Sequence, residues 1–161
     1  MMEPRFEELK EKIVVGKRMD MCFSDLKTYD LWHSFMPIRH LITNRVGMEM
    51  YSVEVYRRNF FEKYDENAFF QKWAAVEVAD LGEVPAVFET QIIPKGLYAV
   101  FTHKGHYSKA PETYHYIFQE WLPNAAFELD DRPHFAVMGE KYSSDSPDSE
   151  EEIWIPVRQI K

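Results

Sequence analysis

The chain has 161 residues, 45% hydrophobic and 29% charged, which is one folded domain rather than a disordered or disulfide-stapled chain. Its 19 Lys and Arg against 27 Asp and Glu leave a net charge of −8, a surface that repels phosphate backbones and anionic lipid. Direct nucleic-acid and membrane binding are therefore not expected. The lone cysteine, Cys22, allows no intrachain disulfide, and no apolar run reaches the roughly 20 residues of a membrane span. The arm Met1 to Lys12 is charged and lacks a signal-peptide core, so a soluble, cytoplasmic protein is expected. Aromatic residues reach 16% (12 Phe, 9 Tyr, 4 Trp), enough to line a cavity as well as fill a core.

In chain order, Lys12 to Cys22 opens with a β-branched run and predicts a strand. Ser24, Asp25 and Thr28 offer N-caps to a helix carrying Leu31, Trp32, Phe35 and Met36, with a kink or stop at Pro37. Met48 to Tyr56 and Trp73 to Val78 predict two strands, and Leu81 to Pro85 a turn. Phe88 to Ile93 and Gly96 to His103 read as one long strand interrupted near Pro94. Ser108 to Leu122 is the clearest helix, with Tyr114, Ile117, Phe118, Trp121 and Leu122 on one face and Pro123 at its end. His134 to Tyr142 predicts a strand, Ser143 to Ser149 a solvated turn, and Glu151 to Val157 a last strand with an edge-type Pro156.

The order β-α-β-β, β-α-β-β suggests an internal duplication. Shifted by 86 residues, Phe35-Met36-Pro37 falls on Trp121-Leu122-Pro123 and Glu54-Val55-Tyr56 on Glu140-Lys141-Tyr142. The expected fold is a single α+β domain over 1–161 made of two βαββ units, about 12–80 and 87–158. They would form an antiparallel sheet with two long helices on one face and a groove between pseudo-twofold halves.

No phosphate-binding loop, dinucleotide fingerprint, zinc motif or serine-hydrolase elbow is present, and no cofactor is expected. His103 and His106 bracket Gly105 after a strand, but no further ligand cluster completes a metal site. The acidic stretch Asp145 to Glu152 lacks EF-hand spacing and reads as a solvated loop. Three glutamates interrupt apolar strands: Glu54, Glu77 and Glu152. A carboxylate among aromatics, if it faces inward, suits a lipophilic cation or general acid–base work; the alternative is that strand alternation turns it to solvent. Aromatic candidates for the groove are Trp32 and Phe35, Tyr51 and Trp73, Tyr98, Tyr114 and Trp121, and Trp154; the alternative for the tryptophans is ordinary core filling.

Several segments together resemble the GyrI-like superfamily, the effector-binding domains of AraC- and MerR-type bacterial activators and their free-standing relatives. They are Gly96-Leu97-Tyr98-Ala99-Val100-Phe101 with Gly105, Trp121-Leu122-Pro123, Arg132-Pro133-His134-Phe135 and Ile153-Trp154-Ile155-Pro156. Leu31-Trp32, Phe35-Met36-Pro37 and Trp73 to Val76 are similar to a free-standing bacterial branch. The resemblance implies a duplicated βαββ fold with a groove for hydrophobic, often cationic, small molecules. Some members inhibit DNA gyrase by protein contact, and some free-standing relatives hydrolyse reactive cyclopropane-type compounds. The arm before Lys12 is too short for a DNA-binding module, so direct transcription-factor activity is not expected. Many members carry a glutamate in a strand written Pro-x-Phe-Glu-x-Tyr; here Ala136 and Met138 stand at the acid and the tyrosine. The usual charge partner is then missing unless Glu54, Glu77, Glu140 or Glu152 replaces it. The leading expectation is a drug- or effector-binding domain. The alternatives are a hydrolase using a groove carboxylate with a tyrosine such as Tyr98, and a module that binds a protein partner.

Overall fold

The computed structural model describes residues 2–143 and 146–160. Strand β1 (Arg5–Leu9) turns directly into β2 (Lys12–Met21). Helix α1 (Thr28–Phe35) buries Leu31 and Phe35, then tightens into a 3-10 turn at Met36–Leu41, where Pro37 cannot continue the α-helical ladder. Strands β3 (Met50–Val55), β4 (Phe70–Val78), β5 (Glu89–Ile93) and β6 (Gly96–Lys104) follow. The second helical run begins as a 3-10 turn (Tyr107–Lys109) and becomes α2 (Ala110–Tyr116). It then loosens into a π-helical turn (Ile117–Trp121) and closes with α3 (Leu122–Asn124). Strands β7 (Phe127–Leu129), β8 (His134–Met138) and β9 (Glu150–Gln159) complete the described chain.

All strand pairs are antiparallel, in the order β1-β6-β9-β8-β3-β4-β2-β5, with β7 added to β9. That order reads alike from either end. Strands β2, β3 and β4 form one triplet and β6, β8 and β9 the other, and the triplets meet where β3 pairs β8. The sheet also curls. β1 to β2 and β5 to β6 are each joined by only two residues, although the partners belong to opposite ends of the strand order. Two linking residues span about 10 Å, so the sheet's ends must approach one another. Leu9, Val14, Ile93 and Val100 accordingly share one core cluster.

Register assigns each side chain to a face. The inner face carries Tyr51, Val53, Trp73, Ala75, Tyr98, Val100, Phe135 and Trp154. The outer face carries both helices. Leu31 and Phe35 of α1 pack on Val15, Ala74 and Val76, and Ile117, Phe118 and Trp121 pack on Ala99, Phe101, Ile153 and Ile155.

Several expectations change. The charged N-terminal arm pairs along β6, and the strand expected to be interrupted near Pro94 is two strands with different partners, β5 on β2 and β6 between β1 and β9. Glu140–Tyr142 lies in a turn beyond β8, so its match to Glu54–Tyr56 has no counterpart in strand position. Pro156 sits in a central strand, between Trp154, the last residue paired with β8, and Val157, the first paired with β7. A residue without an N–H is tolerated where a strand changes partner. The expected turn at Ser143–Ser149 includes Ser144 and Asp145, which lie outside the described residues.

Candidate functional site

The residues singled out in the sequence fall on both sides of the sheet, so no single groove holds them all. Tyr51, Trp73, Glu77, Tyr98, Glu152 and Trp154 lie on the inner face. There Glu77 accepts from Lys12 Nζ at 3.0 Å and from the Tyr51 hydroxyl at 3.3 Å. Glu152 accepts from Arg5 at 2.8 Å and from Trp154 Nε1 at 3.2 Å. The Tyr98 hydroxyl donates to the Pro133 carbonyl at 2.7 Å, and the Arg132 guanidinium lies 4.7 Å from its ring. Burial holds both the Tyr51 and the Tyr98 phenols far above their usual range. The Tyr98 hydroxyl is thus spent on the backbone of the segment that leads into β8.

Trp32, Phe35, Glu54, Tyr114 and Trp121 belong to the outer face, but three of them fill the cores beneath the helices. Trp32 meets Phe35 edge-on at 5.9 Å, and Phe35 meets Phe88 at 6.1 Å. Trp121 stands edge-on to Phe101 at 5.1 Å. Glu54 and Tyr114 remain: Glu54 lies at the midline where the two triplets meet, and its charge reaches the Tyr114 phenol.

The midline floor is built from small residues. Ser52 of β3 lies opposite Ala74 on one side and Ala136 on the other. Glu54, next along the same face, is flanked by Lys72 of β4 and His134 of β8. Glu54 is only 9% exposed and accepts from the Tyr56 hydroxyl at 3.2 Å. Burial first, then the Glu54 charge, drives the Tyr56 and Tyr114 phenols well above their usual range. From β9, Glu151 turns to this face beside Ile153. Burial raises its carboxyl, His103 and Lys72 oppose the rise, and Glu54 adds to it. His103 itself is bound to Thr113 Oγ1 at 2.7 Å and to the His106 carbonyl at 3.1 Å, which explains the His103–Gly105–His106 spacing without a metal.

Tyr56, Lys72 and Glu151 were missed by sequence reasoning. For Glu151 the signal was present: it shares alternation with Ile153, Ile155 and Val157, whereas Glu152 shares it with Trp154. One residue of register moves a side chain through the sheet.

A crevice of about 830 Å³ opens at the end of the midline, between Tyr56–Glu62 of the first half and Leu122–His134 of the second. Its inner end is aromatic. Phe61 stacks on Phe118 at 5.1 Å and 9°, and His134 lies within 5.4 Å and 6.2 Å of these two rings. His134 also meets Tyr56 edge-on at 4.9 Å. Burial, then the Arg132 charge, pushes the His134 imidazole down to about 3, so it is neutral near pH 7. The rim is charged, with Arg58 beside Asp131 at 3.7 Å and Arg158 bonded to Glu128 at 3.0 Å. Asn59, between Arg58 and Phe60, holds a positive φ of 66° that turns the chain back toward the crevice. Tyr56 both lines the crevice and binds Glu54, so the carboxylate stands directly behind the crevice wall.

Residues 2–158 match the model of the GyrI-like small molecule binding domain. The chain belongs to that family. No curated protein matches the sequence significantly. The GyrI-like domain superposes on the C-terminal domain of EcmrR with a TM-score of 0.71 at 21% identity, covering 99% of both chains. In the EcmrR–DNA complex it spans 58% of the EcmrR chain, with a TM-score of 0.69 and 19% identity. SAV2435 bound to tetraphenylphosphonium gives 0.70 at 16% identity over 98% of this chain and 94% of that one. An integron cassette protein of Vibrio cholerae gives 0.67 at 13% identity over 97% and 96%. At these identities the likeness establishes the GyrI-like fold. No helix among the described residues is long and apolar enough to cross a membrane.

Proposed function

We propose that this GyrI-like domain binds a hydrophobic, cationic small molecule at the midline of the outer face. The crevice beside Phe61 and Phe118 is the entrance, and Glu54 is the carboxylate that meets the charge. One observation carries the reading: Glu54 lies next to Ala136, the position that carries the acid in resembling proteins, and is buried with a single phenol as partner. Glu77 and Glu152 are already matched by Lys12 and Arg5 on the opposite face, so they offer no comparable charge. Tyr56, Tyr114 and Phe118 supply aromatic surface around it, which suits cation–π contact and apolar burial together. SAV2435 with its bound tetraphenylphosphonium adds a precedent for this class of ligand on a similar fold.

The test is calorimetric titration of the protein with tetraphenylphosphonium and with neutral triphenylphosphine oxide. Saturable binding of the cation at least tenfold tighter than the oxide supports the reading, and no binding of either refutes it. A second reading, hydrolysis of a reactive small molecule, is favoured by Glu151. Burial and the nearby Glu54 raise the Glu151 carboxyl on the same face of the sheet, which offers a proton donor near a second carboxyl group. Turnover lost in both Glu54→Gln and Glu151→Gln would support it.

A further inference from the structure

We infer that Lys72 tunes the midline site toward zwitterionic aromatic molecules, which carry an anionic group beside their cation, and weakens the binding of bare lipophilic cations. The inference rests on the site proposed above and names its ligand class more narrowly.

Lys72 lies directly across from Glu54 in the β3–β4 register, on the same outer face as Ala74 and Val76. Opposed residues of an antiparallel pair have Cβ atoms about 5 Å apart, close enough for a lysine and a glutamate to join. They do not join. Glu54 is bonded to Tyr56, and among the described residues Lys72 makes no ion pair within 4.0 Å and no side-chain hydrogen bond. The cations that face the inner side of the sheet behave differently: Lys12 is paired with Glu77, Arg5 with Glu152 and Arg18 with Glu89. Lys72 is nonetheless half-buried, and its charge is felt by Glu151. The midline thus presents an ammonium whose donors are unspent, directly across from the Glu54 carboxyl and beside the small floor of Ser52, Ala74 and Ala136.

The charges decide what such a site prefers. Glu54 attracts a cation and Lys72 repels it, so a monocation gains less than an isolated buried carboxylate would give. Alanine at 136 removes the acid that resembling proteins place there, so Glu54 is the carboxyl of β3 and β8 that faces Lys72 on this side of the sheet. A molecule with a cationic end toward Glu54 and a carboxylate toward Lys72 gains from both. It also supplies the acceptor that the lysine donors lack. Lys72 is in this sense a specificity-determining residue, and Glu54 the anchor.

The experiment uses rhodamine B, a zwitterion at neutral pH, and its ethyl ester, the same ring system with only the cation. Affinities are measured by fluorescence anisotropy for the wild-type protein, Lys72→Met, which keeps the length of the stem, and Lys72→Gln, which keeps polarity if the first variant folds poorly. The wild type is expected to bind rhodamine B at least tenfold tighter than the ester. In the variants the ratio should fall to about one or reverse, with the ester binding more tightly than to the wild type. If both dyes bind and the ratio is the same with and without Lys72, the inference is overturned while the midline site stands. If neither dye binds the folded wild type or either variant, the site itself is wrong and the inference falls with it.

Discussion

Acid should loosen this fold through one residue, His134. Its imidazole is enclosed by Phe61, Phe118 and Tyr56 and makes no side-chain hydrogen bond among the described residues. Burial, followed by repulsion from Arg132, places it at about 3 in the folded protein against an ordinary 6.5. The sign follows from proton counting. Between those two values the unfolded chain holds the proton and the folded one does not, so stability rises with pH across that window and falls as the solution is acidified below 6.5. Each unit is worth about 1.4 kcal/mol, and integrating from pH 7 to pH 5 gives a loss of about 2 kcal/mol from this group alone. Urea unfolding followed by tryptophan fluorescence at both pH values measures it. His134→Phe, which continues the aromatic stack without a titrating group, separates this histidine from the other carboxyl and histidine groups. The wild type should lose about 2 kcal/mol more than the variant between pH 7 and pH 5. Equal losses in the two proteins would refute a buried neutral imidazole.

Other consequences are as direct. A Cβ at Gly16 would stand 1.9 Å from the Ala74 carbonyl oxygen, so Gly16→Ala should force β2 from β4 and cost about 3 kcal/mol or more, read as a large fall in melting temperature. An unchanged melting temperature would contradict the close strand approach. Arg132 donates to the Leu97 and Val157 carbonyls and pairs with Asp130, whose carboxyl that bond lowers against the opposing effect of burial. Arg132→Lys cannot keep this fork and should cost about 2–4 kcal/mol in chemical denaturation. The Phe61–Phe118 stack should show a coupling of about 1 kcal/mol in a double-mutant cycle to alanine, and zero coupling would mean the rings do not bridge the two halves in solution.

Much of the fold was legible because its signals are local. The β-branched run of β2, the proline stop after Phe35 and the aromatic spacing from Tyr114 to Leu122 each report on neighbours within a few residues. The three unforeseen partnerships are not local. Arg5–Leu9 is a charged arm until β6 offers its edge, and Phe127–Leu129 is too short to show a pattern. Nothing at Pro94 reveals that β5 and β6 pair at different ends of a curled sheet. The candidate site was legible in kind but not in place. Glu54 and Tyr114, both named from the sequence, lie on the helix side of the sheet, whereas Glu77, Glu152, Tyr51 and Trp154 have the same composition around them and point through the sheet to the other side. Strand alternation was readable; which parity faced the helices depended on pairings between distant strands. Lys72 and Tyr56 had no signal of their own, because a lysine in a half-polar strand is ordinary until a carboxylate is found across from it.

The measurement closest to the central claim is a comparison of tetraphenylphosphonium affinity in the wild type, Glu54→Gln, Glu77→Gln and Glu152→Gln by titration calorimetry. A cation about 6 Å from Glu54 at an effective dielectric near 20 gains about 3 kcal/mol, part of which Lys72 offsets, so a tenfold or greater loss is expected on removing that charge. That loss is expected for Glu54→Gln alone, with the two inner-face variants unchanged. Loss in Glu77→Gln or Glu152→Gln with Glu54→Gln unaffected would place the ligand on the inner face and contradict it.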